Sequence, residues 1–303
     1  MFTIETAYPE EREAALRLVF HHLAEAERDV RVANALHLVS TRELDPAGIL
    51  VVREGDRLQG ALVILPLPGA GGLIWAPHVR EGPQRDAMEN QLVQTALAWL
   101  RSKGAKLVQA VLVGEEVPLA EPLLRHGFKN VTQLRYLRHD LPGPVSPSAN
   151  ITVQTYDHAK RSLFQEVLLR TYEGTLDCPE LNNVRTIEEI LMGHKAQGVF
   201  KPEHWWLAFD GREPVGVLLT NSNPEARSWD IGYVGVVPEA HGQGWGSRLT
   251  QLALTEAQAA GVMHVTVAVD ARNQPAWNLY TAMGFEPTAE RAVYLHFFQL
   301  PRV

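Results

Sequence analysis

Hydrophobic and polar positions in the second half of the chain follow two periods. Residues 151–156 alternate Ile, Val and Tyr with polar residues, as a strand does, and residues 158–172 place Leu163, Val167 and Leu168 on one helix face. The same reasoning predicts helices over 186–196, 246–260 and 274–283 and strands over 205–209, 215–220, 229–237, 262–269 and 291–299. The elements predict a mixed, mainly antiparallel sheet flanked by helices, which is an α/β (α+β) fold.

The chain repeats itself at an offset of 157 positions. This offset separates Gly104 from Gly261, each after a similar amphipathic segment, and also Gly127-Phe128 from Gly284-Phe285. A period this long indicates duplicated domains. Residues 141–150 hold three prolines and a glycine, which favours a linker. We therefore expect a domain over 1–140, a linker over 141–150 and a second domain over 151–303.

Composition and charge argue against several classes of protein. The chain has 303 residues, a formal net charge of −7 and one cysteine. Acidic balance argues against a nucleic-acid surface, and one cysteine allows neither an internal disulfide nor a Cys-rich zinc site. No apolar run reaches the length of a membrane span, and Met1–Thr6 has no signal-peptide pattern. A cytoplasmic protein without nucleic-acid or membrane partners is expected, while the sequence leaves its oligomeric state open.

A glycine-rich turn carries the clearest chemical signal. Gly242, Gly244 and Gly246 stand between a predicted strand and a predicted helix. Glycines let backbone amides approach a ligand closely, and the unpaired amides of a first helical turn suit a phosphate or diphosphate. The G-x-G-x-G spacing differs from the dinucleotide fingerprint, and no Lys-Ser/Thr follows as in a Walker loop. Taken alone, the turn is equally compatible with a tight strand-to-helix connection.

The order of strand, Val-x-Pro, glycine turn, helix and strand, followed by the segment 273–285, resembles the GCN5-related N-acetyltransferase (GNAT) superfamily in its tandem two-domain form. The acyl-CoA signature of that family is matched at 241–246, with His241 in place of the usual Arg or Gln. The resemblance implies acetyl-CoA as co-substrate. The residues implied to bind it are Val234, Gly235, Val236, His241, Gly242, Gln243, Gly244, Trp245, Gly246, Ser247 and Asn273.

The resemblance also implies catalytic roles. Tyr280 matches the family tyrosine that protonates the sulfur of the leaving thiol. Ala268 stands where some relatives carry a glutamate base, and Asp230 matches a glutamate at the start of the preceding strand in a tandem branch of the family. We therefore predict Tyr280 as acid and Asp230 as base, with a solvated strand-end aspartate as the alternative for Asp230.

Two further carboxylates, Asp177 and Glu180, lie in a segment that usually shapes the acceptor pocket of this fold. They could attract a cationic amine, although a solvated loop is the interpretation that the sequence favours. Cys178 has no visible His–Asp arrangement and is not predicted as a nucleophile. The histidines show no HExxH spacing, and no metal site is predicted.

The first half has lost these features. Arg85, Ala87 and Glu89 stand at the positions of the three turn glycines, Glu116 replaces Asn273 and Leu123 replaces Tyr280. A carboxylate where an anion should bind predicts a degenerate domain without acyl-CoA.

We expect an acetyl-CoA-dependent N-acetyltransferase that acts on a small-molecule amine by direct attack on the thioester. A non-catalytic acyl-CoA-binding module is the main alternative, and a two-domain scaffold with a vestigial site is another. The sequence leaves open the acceptor, a longer acyl chain and a protein N-terminus as substrate.

Overall fold

A computed structural model describes residues 1–141 and 151–298 of the chain. The chain divides into two compact units, one formed by Met1–Val131 with the segment that begins at Arg291, the other by Thr132–Glu290. Apart from Leu141, the linker expected at 141–150 lies outside the described residues. No described helix is long and apolar enough to cross a membrane.

The first unit is a sheet with helices. Its strands are β1 (Phe2–Thr6), β2 (Ile49–Glu54), β3 (Arg57–Leu67), β4 (Gly71–Val79) and β5 (Leu107–Val113), and its helices are α1 (Arg12–Val19), α2 (Glu25–Ser40), α3 (Arg85–Ser102) and α4 (Glu121–Arg125). The five strands follow one another in the sheet. Neighbouring strands are antiparallel except β4 and β5, which are parallel.

The second unit repeats this plan. Its strands are most of β6 (Lys129–Asp140), then β7 (Thr152–Thr155), β8 (Trp205–Asp210), β9 (Glu213–Asn223), β10 (Ser228–Val236) and β11 (His264–Asp270). Its helices are α5 (Arg161–Thr171), α6 (Ile187–Lys195), α7 (Trp245–Ala259) and α8 (Gln274–Ala282), and the last strand of the chain is β12 (Glu286–Phe297). The sheet has the order β6-β11-β10-β9-β8-β7, in which only β10 and β11 are parallel. The predicted fold class is confirmed.

The strands next to β5 and β11 come from the far half of the sequence. In the first unit, β12 pairs with β5, with Arg291 opposite Val113. In the second unit, β6 pairs with β11, with Asp140 opposite His264. The units therefore differ from the domain boundaries expected from the sequence. Local alternation predicts that a segment is a strand and which face it buries, but it does not predict which strand lies beside it.

The predicted elements of the second half are confirmed, with ends moved by a few residues. The core of the second unit packs the apolar face of α7, which carries Leu249, Leu252 and Ala253, together with aromatic side chains such as Phe164 and Trp205. Trp205 is fully buried in this core. This packing gives α7 and β10, which hold the turn between them, a rigid support.

Candidate active site

The parallel strands β10 and β11 separate part of the way along their length. Their ladder runs from Ser228 opposite His264 to Ile231 opposite Val267, whereas β10 itself continues to Val236. A bulge between Ile231 and Tyr233 shifts the register of β10 against β9 at the same place. A cavity of about 600 Å³ lies here, lined by both strands, the glycine turn, α7, α8 and the segment after α5. It lies entirely within the second unit.

The glycine turn has the backbone geometry of an anion site. Gly242 and Gly244 have φ of 74° and 79°, which favours glycine, and Gly244 caps α7. The first helical hydrogen bond runs from the Arg248 amide to the Gly244 carbonyl at 3.1 Å, so the preceding amides of the first turn have no partner inside the helix. Gly242, Gly244 and Ser247 all line the cavity. The turn therefore presents amides and the positive end of a helix dipole to it.

The side chains of two residues that the resemblance assigns to acetyl-CoA binding hydrogen-bond within the turn, and that assignment stays a prediction. A hydrogen bond of 2.9 Å joins Nε2 of His241 to the carbonyl of Val236, and Nε2 of Gln243 donates to the carbonyl of Glu239 at 3.0 Å. His241 lines the cavity, and Gln243 is not among the residues that line it. Trp245 is 5% exposed and stacks under the guanidinium of Arg248.

Close packing explains two further glycines at the cavity, Gly235 and Gly246. A Cβ on Gly235 would lie 2.6 Å from Cβ and Oγ1 of Thr171, so β10 can approach α5 only without a side chain there. A Cβ on Gly246 would lie 2.9 Å from Cδ1 of Leu279, which brings α7 close to α8. Val234, Gly235 and Val236 line the cavity, and their binding of acetyl-CoA stays a prediction.

Tyr280 lies on α8 and faces the cavity. Asn273 begins that helix, because its Oδ1 accepts the amide of Ala276 at 3.2 Å, and it also lines the cavity. Tyr280 is 7% exposed, and its ring contacts Phe285. Burial raises the pKa of the Tyr280 phenol, and nearby acidic groups raise it further. The phenol is therefore protonated at neutral pH, and its hydroxyl has no hydrogen-bond partner among the described residues.

Asp230, the predicted base, does not line the cavity as Tyr280 does. It lies on β10 next to the cavity-lining Ile231, but it is not itself among the residues that line the cavity. Its Oδ1 accepts the hydroxyl of Thr266 at 2.8 Å. Burial raises the pKa of Asp230, and this hydrogen bond lowers it in part. The catalytic role of Asp230 stays a prediction.

The segment after α5 is tied to the end of β11 by reciprocal bonds. The amide of Asp270 donates to Oδ1 of Asp177 at 3.0 Å, and the amide of Cys178 donates to Oδ2 of Asp270 at 3.0 Å. Arg272 holds both oxygens of Glu180, at 2.6 and 2.9 Å. Asp177 lines the cavity, whereas Glu180 does not and has Arg272 as its partner. This segment is therefore anchored to β11 and Arg272, which corrects the solvated loop that the sequence favours.

Cys178 lies in this segment with a left-handed backbone, at φ 44°. Burial raises the pKa of its thiol, and the charges of Asp177 and Asp270 add to the effect. The thiol is unsuited to act as a nucleophile at neutral pH. Asp177, Cys178 and Asp270 bring one possible ligand atom each within 4.8 Å of one another. The cation found beside them is the guanidinium of Arg272, 2.7 Å from Asp270 Oδ2.

Sequence reasoning missed Asp270. This residue is fully buried, and it accepts the Thr132 hydroxyl at 2.6 Å and the Arg272 amide at 2.9 Å. Burial alone would raise its pKa, but hydrogen bonds from Arg272, Thr132 and two backbone amides hold the pKa well below its ordinary value. Its position at the end of a buried strand, three residues before Asn273, is the one signal that the sequence offers.

The corresponding positions of the first unit carry charged side chains. Glu89 on α3 is 2% exposed and accepts from Arg85 at 2.9 Å and from Arg125 at 2.8 Å. Glu116 accepts the amide of Val113 and contacts Nε2 of His22 at 3.2 Å. These carboxylates already have internal partners, which agrees with the predicted lack of an acyl-CoA site; that lack stays a prediction.

Part of the second unit matches a known protein family. Residues 170–285 match the family described as Acetyltransferase (GNAT) family. A mycothiol acetyltransferase of Actinosynnema mirum is 26% identical over 286 residues, which are 91% of this chain and 93% of the relative. This similarity agrees with a resemblance to mycothiol synthase in tandem layout.

Two solved structures share the fold. A GCN5-related N-acetyltransferase from Sphaerobacter thermophilus has a TM-score of 0.63 at 20% identity and covers 98% of this chain and 95% of its own. A tandem GNAT protein from the clavulanic acid biosynthesis pathway has a TM-score of 0.51 at 18% identity and covers 98% of both chains. Residues 170–285 thus match the GNAT acetyltransferase family and the solved structures share its fold, which agrees with the class of N-acetyltransferase enzyme that the sequence predicts.

Proposed function

We propose that the chain transfers an acetyl group from acetyl-CoA to the amine of a small molecule. One observation carries the proposal: the glycine turn, the separated strand β10 and the phenol of Tyr280 line a single cavity. An anion site, a channel edge and a protonated acid are what a thioester donor of this kind requires. GNAT acetyltransferases use acetyl-CoA as their acetyl donor.

Acetyl-CoA binds along the length of the cavity in this proposal. Its diphosphate accepts from the amides between Gly242 and Ser247, where the partly unpaired first turn of α7 favours negative charge. Its pantetheine arm pairs along Val234, Gly235 and Val236, the part of β10 that has left β11. Oδ1 of Asn273 caps α8, and the NH2 group of the same side chain can donate a hydrogen bond to acetyl-CoA. The acyl-CoA role of these residues is part of the proposal.

Tyr280 supplies the acid. The amine nitrogen attacks the thioester carbon and loses an N–H proton to a base, the C–S bond breaks, and the phenol proton goes to the departing sulfur. Expelling an unprotonated alkyl thiolate at pH 7 costs about 2 kcal/mol, so the acid makes a moderate contribution. Deprotonating an alkylammonium ion at the same pH costs about 4 kcal/mol of free energy, so a base contributes more than the acid does. Asp230 is the base that the sequence predicts.

The acceptor is proposed to be a small cationic amine, because Asp177 lines the cavity beside Tyr233 and Tyr280. The names of the relatives suggest one member of a test panel, the amine that remains when the acetyl group is removed from mycothiol. Glucosamine, spermidine and amino acid amides complete the panel. A protein N-terminus and a longer acyl donor are tested alongside it.

The experiment measures thiol release from acetyl-CoA with each amine and, separately, acetyl-CoA binding by calorimetry. We expect one binding event and amine-dependent thiol release that Tyr280→Phe suppresses. Binding without thiol release for every amine would favour the alternative of a non-catalytic acyl-CoA-binding module. Absence of binding would favour a scaffold with a vestigial site and overturn the proposal.

A further inference from the structure

We propose that Asp177, held in place by Asp270, is the base that takes the proton from the acceptor amine. The inference deepens the proposed function and rests on it. It moves the proton-accepting role from Asp230 on β10 to the anchored segment after α5.

The placement of the two carboxylates distinguishes them. Asp177 lines the same cavity as the acid Tyr280, and Asp230 is not among the residues that line it. An oxygen of Asp230 already accepts the hydroxyl of Thr266 at 2.8 Å. A base must reach the proton it removes directly or through one water, so Asp177 is the better placed of the two.

A hydrogen bond to one carboxylate oxygen orients Asp177 and leaves the other oxygen available. Its Oδ1 accepts the amide of Asp270 at 3.0 Å, and no described residue donates to its Oδ2. The donor of that bond is rigid, because Thr132, Cys178 and Arg272 all hold the Asp270 carboxylate. Asp177 therefore has one oxygen that sets its orientation and one that is free for an amine proton.

The electrostatic surroundings fit this role. Burial raises the pKa of Asp177, and the hydrogen bond from the Asp270 amide lowers it in part. The charge of Asp270 raises this pKa, and the charge of Arg272 lowers it. Asp270 stays ionised, because its hydrogen bonds hold its pKa below the ordinary value despite burial. The remaining ionisable groups whose titration responds to Asp177 are the thiol of Cys178 and the phenols of Tyr172, Tyr233 and Tyr280. Two carboxylates with opposite pKa shifts are a common arrangement at acid–base sites.

The proton balance closes. The acceptor enters as an ammonium ion, its N–H bond breaks, and the proton joins Oδ2 of Asp177. The neutral nitrogen attacks the thioester carbon, the C–S bond breaks, and Tyr280 protonates the sulfur. The nitrogen then breaks a second N–H bond, and this proton passes through water to the tyrosinate of Tyr280, which leaves the neutral amide. Asp177 returns its proton to water, so one proton is released overall and both groups are ready for the next turnover.

The test is Asp177→Asn, whose amide oxygen can still accept from the Asp270 amide. With an alkylamine acceptor taken from the panel, we expect kcat/KM at neutral pH to fall about 100-fold or more. The residual rate should then rise about tenfold per pH unit across the neutral range, because free amine becomes the reactant. With a fluorinated analogue of the same amine, already neutral at that pH, the loss should be much smaller.

Two comparisons complete the design. Asp230→Asn should keep the acid-side pH dependence of the wild type, and the exposed Asp210→Asn at the end of β8 is the matched control for removal of a carboxylate. Asp177→Glu keeps a carboxylate and should retain the pH dependence at a lower kcat. Calorimetry with acetyl-CoA should give the same affinity for wild type and Asp177→Asn, which separates misfolding from loss of the base.

The outcomes that overturn the inference are specific. If Asp177→Asn raises only the KM for the amine and leaves kcat and its pH dependence unchanged, Asp177 attracts the cation and is no base. If Asp230→Asn shows the loss and the rescue by the fluorinated amine, Asp230 is the base. A wild-type chain that acetylates no amine refutes the proposed function together with this inference, whereas the first two results leave the proposed function intact.

Discussion

Glu89 and Arg125 form an ion pair of 2.8 Å in the first unit, at the position that the internal repeat aligns with Gly246. In the second unit, Gly246 lines the cavity beside the first turn of α7. The side chain of Glu89 is buried, and Arg85 is its second partner. A buried carboxylate opposes an incoming diphosphate by charge, and two guanidinium groups have already neutralised it.

From this relationship we expect one acetyl-CoA site per chain. Calorimetry should give a stoichiometry near one, and substitutions in the glycine turn of the second unit should weaken the whole of the observed binding. Two equivalent sites, or a fraction of the binding whose affinity a turn variant leaves unchanged, would contradict the prediction that the first unit is degenerate.

Glu89→Gln should lower the stability of the first unit. The substitution removes the charge that two arginines share, and it costs about 2 kcal/mol in the free energy of unfolding because both guanidinium groups are partly exposed. Urea denaturation measures this loss. Glu81→Gln, which removes a highly exposed partner of Arg85, should change stability by less than about 0.5 kcal/mol.

Gly244→Ala and Gly261→Ala form a matched pair. The two glycines have φ of 79° and 70°, and a Cβ at either position would meet no atom within 4 Å. Both variants should therefore lose about 1 kcal/mol of stability to backbone strain. Only Gly244 lines the cavity, so only Gly244→Ala should also weaken acetyl-CoA binding, by about tenfold. Equal affinities for acetyl-CoA in the two variants would show that the turn does not bind the diphosphate.

How much the sequence predicts depends on how local each feature is. The turn glycines, Asn273 and Tyr280 lie in contiguous motifs, and the structure brings them to one cavity. The pairing of β12 with β5 was not predictable, since alternation carries no information on strand partners. The same limit applies to Glu180, for which the sequence favours a solvated loop and leaves attraction of a cationic amine open. Its partner Arg272 lies 92 positions along the chain.

Tyr280→Phe should lower kcat by about 100-fold while leaving the affinity for acetyl-CoA nearly unchanged, because the ring is retained and only the acidic proton is lost. Steady-state kinetics and calorimetry together measure the two effects. Since the pKa of Tyr280 is raised, the wild type should show no loss of activity from this group until well above pH 10. Tyr294→Phe, a buried tyrosine of the first unit, is the matched control. An unchanged kcat in Tyr280→Phe would exclude the phenol as the acid.

The stacked histidines of the first unit should make its stability depend on pH. The ring centroids of His78 and His21 lie 3.3 Å apart, and the two rings stack. Burial lowers the pKa of His78 to about 4, and neighbouring positive charge adds to this effect. The unfolded chain, with an ordinary histidine pKa of about 6.5, therefore binds more protons between these values, and stability falls as the pH drops from about 6.5 towards about 4. We expect His78→Gln to reduce this loss by about 1 kcal/mol at pH about 5, measured by urea denaturation at pH about 5 and 7. The exposed His37→Gln should keep the wild-type dependence, and an equally steep loss in His78→Gln would assign the effect to other groups.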